Sequence, residues 1–170
     1  MDTLIDVGVL KECTPTSYNL DGHWITGMIE YSEWEHIRLC LGIPFYNELV
    51  TQVNTQTLTV DNQTFYDSFL KSCVAWFVLY ESAFFIHTRA ENKGVTQNTD
   101  DKSVEASGNT VGAYKKMALK HAESRREQML KYLNDNKTLY PLFDTADTDC
   151  KQSGNCGYHY SLYFPKKSNY

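Results

Sequence analysis

Residues 63–92, QTFYDSFLKSCVAWFVLYESAFFIHTRAEN, constrain the fold more than any other stretch. Between Cys73 and Ile86 the strongly polar residues are Glu81 and Ser82. On a helical wheel Asp67, Lys71, Ser82 and Arg89 gather into one narrow stripe. A helix with so little polar face has to be covered on most sides. The apolar run is shorter than the roughly 20 residues a membrane span needs, and it carries Glu81 near its centre. It therefore reads as a central buried helix. Its own chain covers it, and a neighbouring subunit is a further candidate cover.

A second helix frames the first. From about Thr110 to Asn134, Val111, Tyr114, Ala118, Ala122, Met129, Tyr132 and Leu133 share one face. Lys115, Lys116, Lys120, Glu123, Arg126, Glu127 and Lys131 share the other, a well-separated amphipathic pattern. Arg125 falls on the apolar side between Ala122 and Met129. It either pairs with an acid, such as Glu81 or one from another subunit, or snorkels along its stem to solvent.

Residues 3–12 read as a short extended segment before a loop at Pro15. Asp21 is a candidate N-cap for a helix to about Tyr31. Ser32 and Glu35 have the spacing of a capping box, which starts a helix presenting Trp34, Ile37 and Leu41. Gly42 ends that helix and Pro44 opens the next. Asp61 or Asn62 caps the central helix, which runs out near Asn92-Lys93-Gly94. Residues 94–109 are small, polar and aperiodic, the kind of long loop that is functional or ordered by a partner. After a polar loop at 144–157, residues 158–164 alternate Tyr158, Tyr160, Leu162 and Phe164 against His159, Ser161 and Tyr163. That is a strand pattern in search of an edge, either residues 3–12 or a neighbouring chain.

The fold class expected is mainly α: a helical bundle on the central apolar helix and the long amphipathic helix, with a small β element from the termini. Residues 1–143 form the helical domain and 144–170 a loop and strand-like tail. Twelve Tyr, 8 Phe and 3 Trp suit large contact surfaces. Net charge is -5, which argues against a dedicated nucleic-acid binder. Residues 1–62 carry nine acids against Lys11 and Arg38, whereas residues 115–131 carry six bases against Glu123 and Glu127. The asymmetry suits either matched surfaces across a subunit interface or two solvated faces. No signal peptide is visible, and five cysteines suggest reduced thiols in a cytosolic compartment.

Nothing indicates catalysis, a cofactor or a metal. Cys150, Cys156 and His159 lack a fourth ligand at usual spacing, and Glu33-x-x-His36 has no second copy for a carboxylate-bridged centre. Trp76, Phe77, Tyr80, Phe84 and Phe85 span most of the wheel of the central helix. Trp76, Tyr80, Phe84, Phe85, Arg125, Tyr158, Tyr160, Leu162 and Phe164 are therefore the interface candidates.

Four stretches carry a family resemblance over roughly residues 20–143. They are LCLGIPFYNELV, the apolar aromatic helix followed by N-K-G-V, a polar loop containing EAS, and the closing KYLNDNKTLYPLF. Together they resemble the head–tail connector proteins (head-completion or adaptor proteins) of tailed bacteriophages, especially those of Bacteroidetes and crAss-like phages. The resemblance implies a virion protein made in the host cytoplasm and assembled as a homo-oligomeric ring, twelve-fold by family likeness. Its implied partners are the portal, neighbouring connector or tail proteins, and genomic DNA passing through the channel without sequence-specific binding. It implies no membrane. The competing class is a soluble helical binding or regulatory module without catalysis.

Overall fold

Asp6 starts the first helix. In the computed structural model, which describes residues 2–16, 22–91, 94–97 and 108–143, its side chain accepts from Val9 N at 2.8 Å and caps α1 (Val7–Cys13). Residues 3–12 are thus not one extended segment. The correction has a physical cause: α1 is too short to be stable alone and is helical because it packs on the central helix.

Helix α2 (Gly22–Ser32) does not stop at the expected capping box. Ser32 is helical and makes no side-chain cap, and the chain passes into a π-turn (Glu33–Ile37) and then α3 (Arg38–Leu41). The π-turn closes through Arg38 N–H on Glu33 O, a bond spanning five residues. Gly42 then breaks the run at φ 80, ψ 142, a conformation that favours glycine. Pro44 occupies the first turn of α4 (Ile43–Thr55). Gly42→Ala is expected to cost about 1–3 kcal/mol, read as a lower urea midpoint at unchanged slope.

Helix α4 ends at Gln56 in the left-handed region, with its N–H on Gln52 O and Val53 O. Thr59, rather than Asp61 or Asn62, caps the next helix by accepting from Asn62 N. The Gln52 side chain accepts from Asn62 Nδ2 at 2.8 Å and so ties the end of α4 to this start. The central helix is then one run of α5 (Val60–Phe65), a second π-turn (Tyr66–Leu70) and α6 (Lys71–His87). It ends at His87, short of Asn92, where a hairpin of β1 (Thr88–Glu91) and β2 (Gly94–Gln97) pairs Thr88 with Gln97 and Glu91 with Gly94. The last helix, α7 (Gly108–Asp135), lies where its amphipathic pattern placed it, and a 3₁₀ turn (Lys137–Leu139) follows.

The chain is mainly helical, as expected. The β element expected from the termini is not found among the described residues, because residues 7–13 are helix and 158–164 lie outside them. Of the polar segment 94–109, residues 98–107 also lie outside them.

Helix α6 packs most extensively on α7, and α1 and α2 cover other sides. Cys73, Val74, Ala75, Phe77, Val78 and Leu79 are all buried, so the monomer itself covers most of this helix. At the other end of the core Phe65 sits among Phe45, Tyr132 and Tyr140, with ring centroids 5.8, 6.2 and 5.6 Å away. Tyr140 donates its hydroxyl to Asp61 O at 3.0 Å, which fastens the chain after α7 to the start of α5.

Candidate functional site

Three features outside ordinary core packing bear on function. The first is a buried carboxyl. Glu33 lies in the first π-turn and is fully buried. Its Oε1 accepts from Leu4 N at 2.8 Å and Ile5 N at 3.3 Å, and its Oε2 accepts from Tyr46 Oη on α4 at 2.9 Å. From the second π-turn Tyr66 donates its hydroxyl to Leu4 O at 2.8 Å. The two π-turns therefore grip the same N-terminal segment from two sides. Burial raises the Glu33 carboxyl from its usual 4.5 to about 7, against the pull of its three donors. Burial also pushes the Tyr66 phenol up to about 12. The Tyr46 phenol is driven well above its ordinary value by burial and the adjacent Glu33 charge.

The second feature is a half-buried polar pair between the first π-turn and α6. His36 Nε2 lies 2.8 Å from Glu81 Oε1, and the imidazole stacks on Phe77 at 4.3 Å. Tyr80 meets the same imidazole edge-on at 6.2 Å, and Lys115 of α7 lies over the Tyr80 ring at 4.6 Å. Glu81 is thus paired with His36, and Arg125 is not its partner.

The third feature is a set of exposed apolar residues along the run from α2 to the start of α4. Tyr31 is 49 % exposed, Trp34 58 % and Leu39 44 %, and Ile43 just beyond Gly42 is 47 % exposed. Arg38 covers one face of Trp34, with its guanidinium 3.8 Å from the ring centroid. Trp34 was expected on the inner edge with Ile37 and Leu41. A π-turn winds fewer degrees per residue than an α-helix, so it turns Trp34 outward while Ile37 and Leu41 stay buried. Tyr31, three residues before it, and Leu39, beyond the π-turn, are exposed as well.

The interface candidates separate accordingly. Trp76 is half-buried and packs on His121 at 4.5 Å, and Tyr80 is half-buried beside His36. Phe85 is exposed. Phe84 lies on α6, but its side chain is outside what is described, as are Tyr158, Tyr160, Leu162 and Phe164. Arg125 is exposed, which corrects its assignment to the apolar side. Arg126, expected on the polar face, is instead buried over the Phe77 ring at 5.5 Å. Trp76, Tyr80, Phe85 and Arg125, the described members, are not gathered into one site.

Among the described residues no group of three or more His, Cys, Asp or Glu side chains is placed to hold a metal ion. Glu33 and His36 point to different partners and form no ligand pair. Cys73 is buried, which pushes its thiol up to about 12 and leaves it unreactive. The cluster Cys150, Cys156 and His159 lies outside the described residues. No described helix is long and apolar enough to cross a membrane.

Fold and site together define a mainly helical protein with a buried carboxyl clasp and an exposed aromatic side. The chain belongs to a family of unknown function, DUF6712, whose model matches residues 37–153. The match runs from the end of the first π-turn through α7, so Glu33 and the segment it holds lie before it. No curated protein and no solved structure matches the chain.

Proposed function

We propose that the chain is a structural virion protein, a ring subunit at the head–tail interface of a tailed phage. In this reading it docks on the portal, extends the DNA channel and joins the tail. The observation that carries the reading is the exposure of Trp34, Leu39 and Ile43 along the run from α2 to the start of α4, while most of the central helix is buried within the subunit. Large apolar side chains left exposed along one stretch of a folded subunit suit burial against another protein. The occupant of this side is the next copy in the ring. Charge supports that choice: Glu30 and Glu35 flank Trp34, and α7 offers Lys116, Lys120 and Arg125 at its exposed positions. The family resemblance of the sequence supplies the portal, the tail and the DNA as further partners. The C-terminal strand pattern belongs to the same proposal, as a clamp in which residues 158–164 add a strand to an adjacent protein.

Mass spectrometry of purified particles tests the reading, and the chain is expected among the virion proteins. Its absence from particles would leave the reading without support and favour a non-catalytic binding module. Trp34→Ala should change monomer stability by less than about 1 kcal/mol while preventing incorporation beside the portal. Normal incorporation of this variant would remove Trp34 from the interface.

A further inference from the structure

We propose that residues 2–5 form a proton-coupled strap, buckled to the helical body by Glu33 and held most firmly when that side chain carries a proton. The strap is a segment of irregular backbone with Leu4 and Ile5 buried. Its hold is polar as well as apolar. Both N–H groups of Leu4 and Ile5 end on Oε1 of Glu33, and the Leu4 carbonyl accepts from Tyr66. Freeing the strap therefore exposes the carboxyl to water, and that is what couples the strap to a proton.

The groups facing the buckle come from each element around it. Tyr46 reaches it from α4, Glu30 acts on it from α2, and Tyr66 approaches from the second π-turn. Asp6 at the start of α1 and Arg38 on α3 act on Tyr66 and Tyr46 rather than on Glu33 itself. Among the described residues Glu33 forms no ion pair. A negative charge there is thus buried with hydrogen-bond donors but without a cation, which is costly. A proton removes that cost without undoing the buckle. It sits on Oε2, beside the Tyr46 hydroxyl, while Oε1 goes on accepting from both strap amides.

The sign follows from the carboxyl's closed-state value of about 7 against its ordinary 4.5. The proton's contribution to closure is complete below 4.5, declines as pH rises, and is gone above about 7. A partner competing for residues 2–5 meets the least resistance at neutral pH or above. This device does not depend on the ring reading.

Hydrogen exchange of the Leu4 and Ile5 amides in the full-length protein, from pH 5 to pH 8 and corrected for intrinsic rates, tests the proposal. Protection is expected to fall on the order of a hundredfold over that range and then level off. In Glu33→Gln, whose amide keeps both kinds of bond, the profile should stay flat within about threefold. Tyr46→Phe removes a donor to the carboxylate and should move the fall to higher pH, which keeps the test open if Glu33→Gln does not fold. A flat wild-type profile, a wild-type-like fall in Glu33→Gln, or no displacement in Tyr46→Phe would overturn the proposal.

Discussion

Phe65→Ala is expected to destabilise the protein by about 3–5 kcal/mol. Phe65 is fully buried where α5 enters the second π-turn, and its ring touches three others from three separate elements. Phe45 comes from α4, Tyr132 from α7, and Tyr140 from the segment after α7. Removing the ring leaves a cavity whose walls are held by different parts of the chain, so no single element can move in to fill it. The loss should appear in equilibrium urea unfolding as a lower midpoint. Val60, five residues earlier in the same helix, is 84 % exposed, and Val60→Ala should stay within about 0.5 kcal/mol of wild type. Equal losses in the two variants would show that the aromatic cluster does not hold these elements together.

What could be read from the sequence was what depends on local chemistry. Gly42 and Pro44 mark the break between α3 and α4 because a positive φ and a first-turn proline are each properties of one residue. The α7 pattern was legible because its apolar residues recur over many turns. The failures come from register. On α7 the inward stripe passes Ala118, Ala122, Arg126, Leu130 and Leu133, whereas a step of three from Ala122 selects Arg125. Both steps fit a period of 3.6, and only the partner helix decides between them. The two π-turns were invisible for a related reason: they change the period locally without changing composition. That one shift turns Trp34 out and accompanies Glu33 turned in, so it hid both the exposed aromatic side and the buried carboxyl. The clasp was out of reach also because Leu4 and Glu33 are 29 residues apart and meet through backbone N–H groups, which leave no mark on side-chain pattern. A glutamate flanked by Ser32 and Trp34 on a helix reads as a solvated residue until its partners are known.

Glu33→Ala removes the acceptor for two buried amides and one phenol at once. Each buried donor left without an acceptor costs about 1–3 kcal/mol, so the variant should lose several kcal/mol where the wild-type carboxyl is protonated. The loss should depend on pH in a definite direction. The wild-type carboxyl, raised by burial to about 7 from 4.5, contributes stability fully below 4.5 and loses it as pH rises to about 7. Alanine has no such dependence. The gap between wild type and variant should therefore be widest near pH 5 and narrow by up to about 3 kcal/mol by pH 8. Stabilising carboxylates with lowered values behave in the opposite sense and lose stability as pH falls, so the sign separates the two cases. Urea unfolding of both proteins at pH 5, 6.5 and 8 measures the gap. A gap that widened with pH would mean that Glu33 is held as a carboxylate by its three donors, outweighing its burial. A constant gap would mean that its proton is not linked to folding at all.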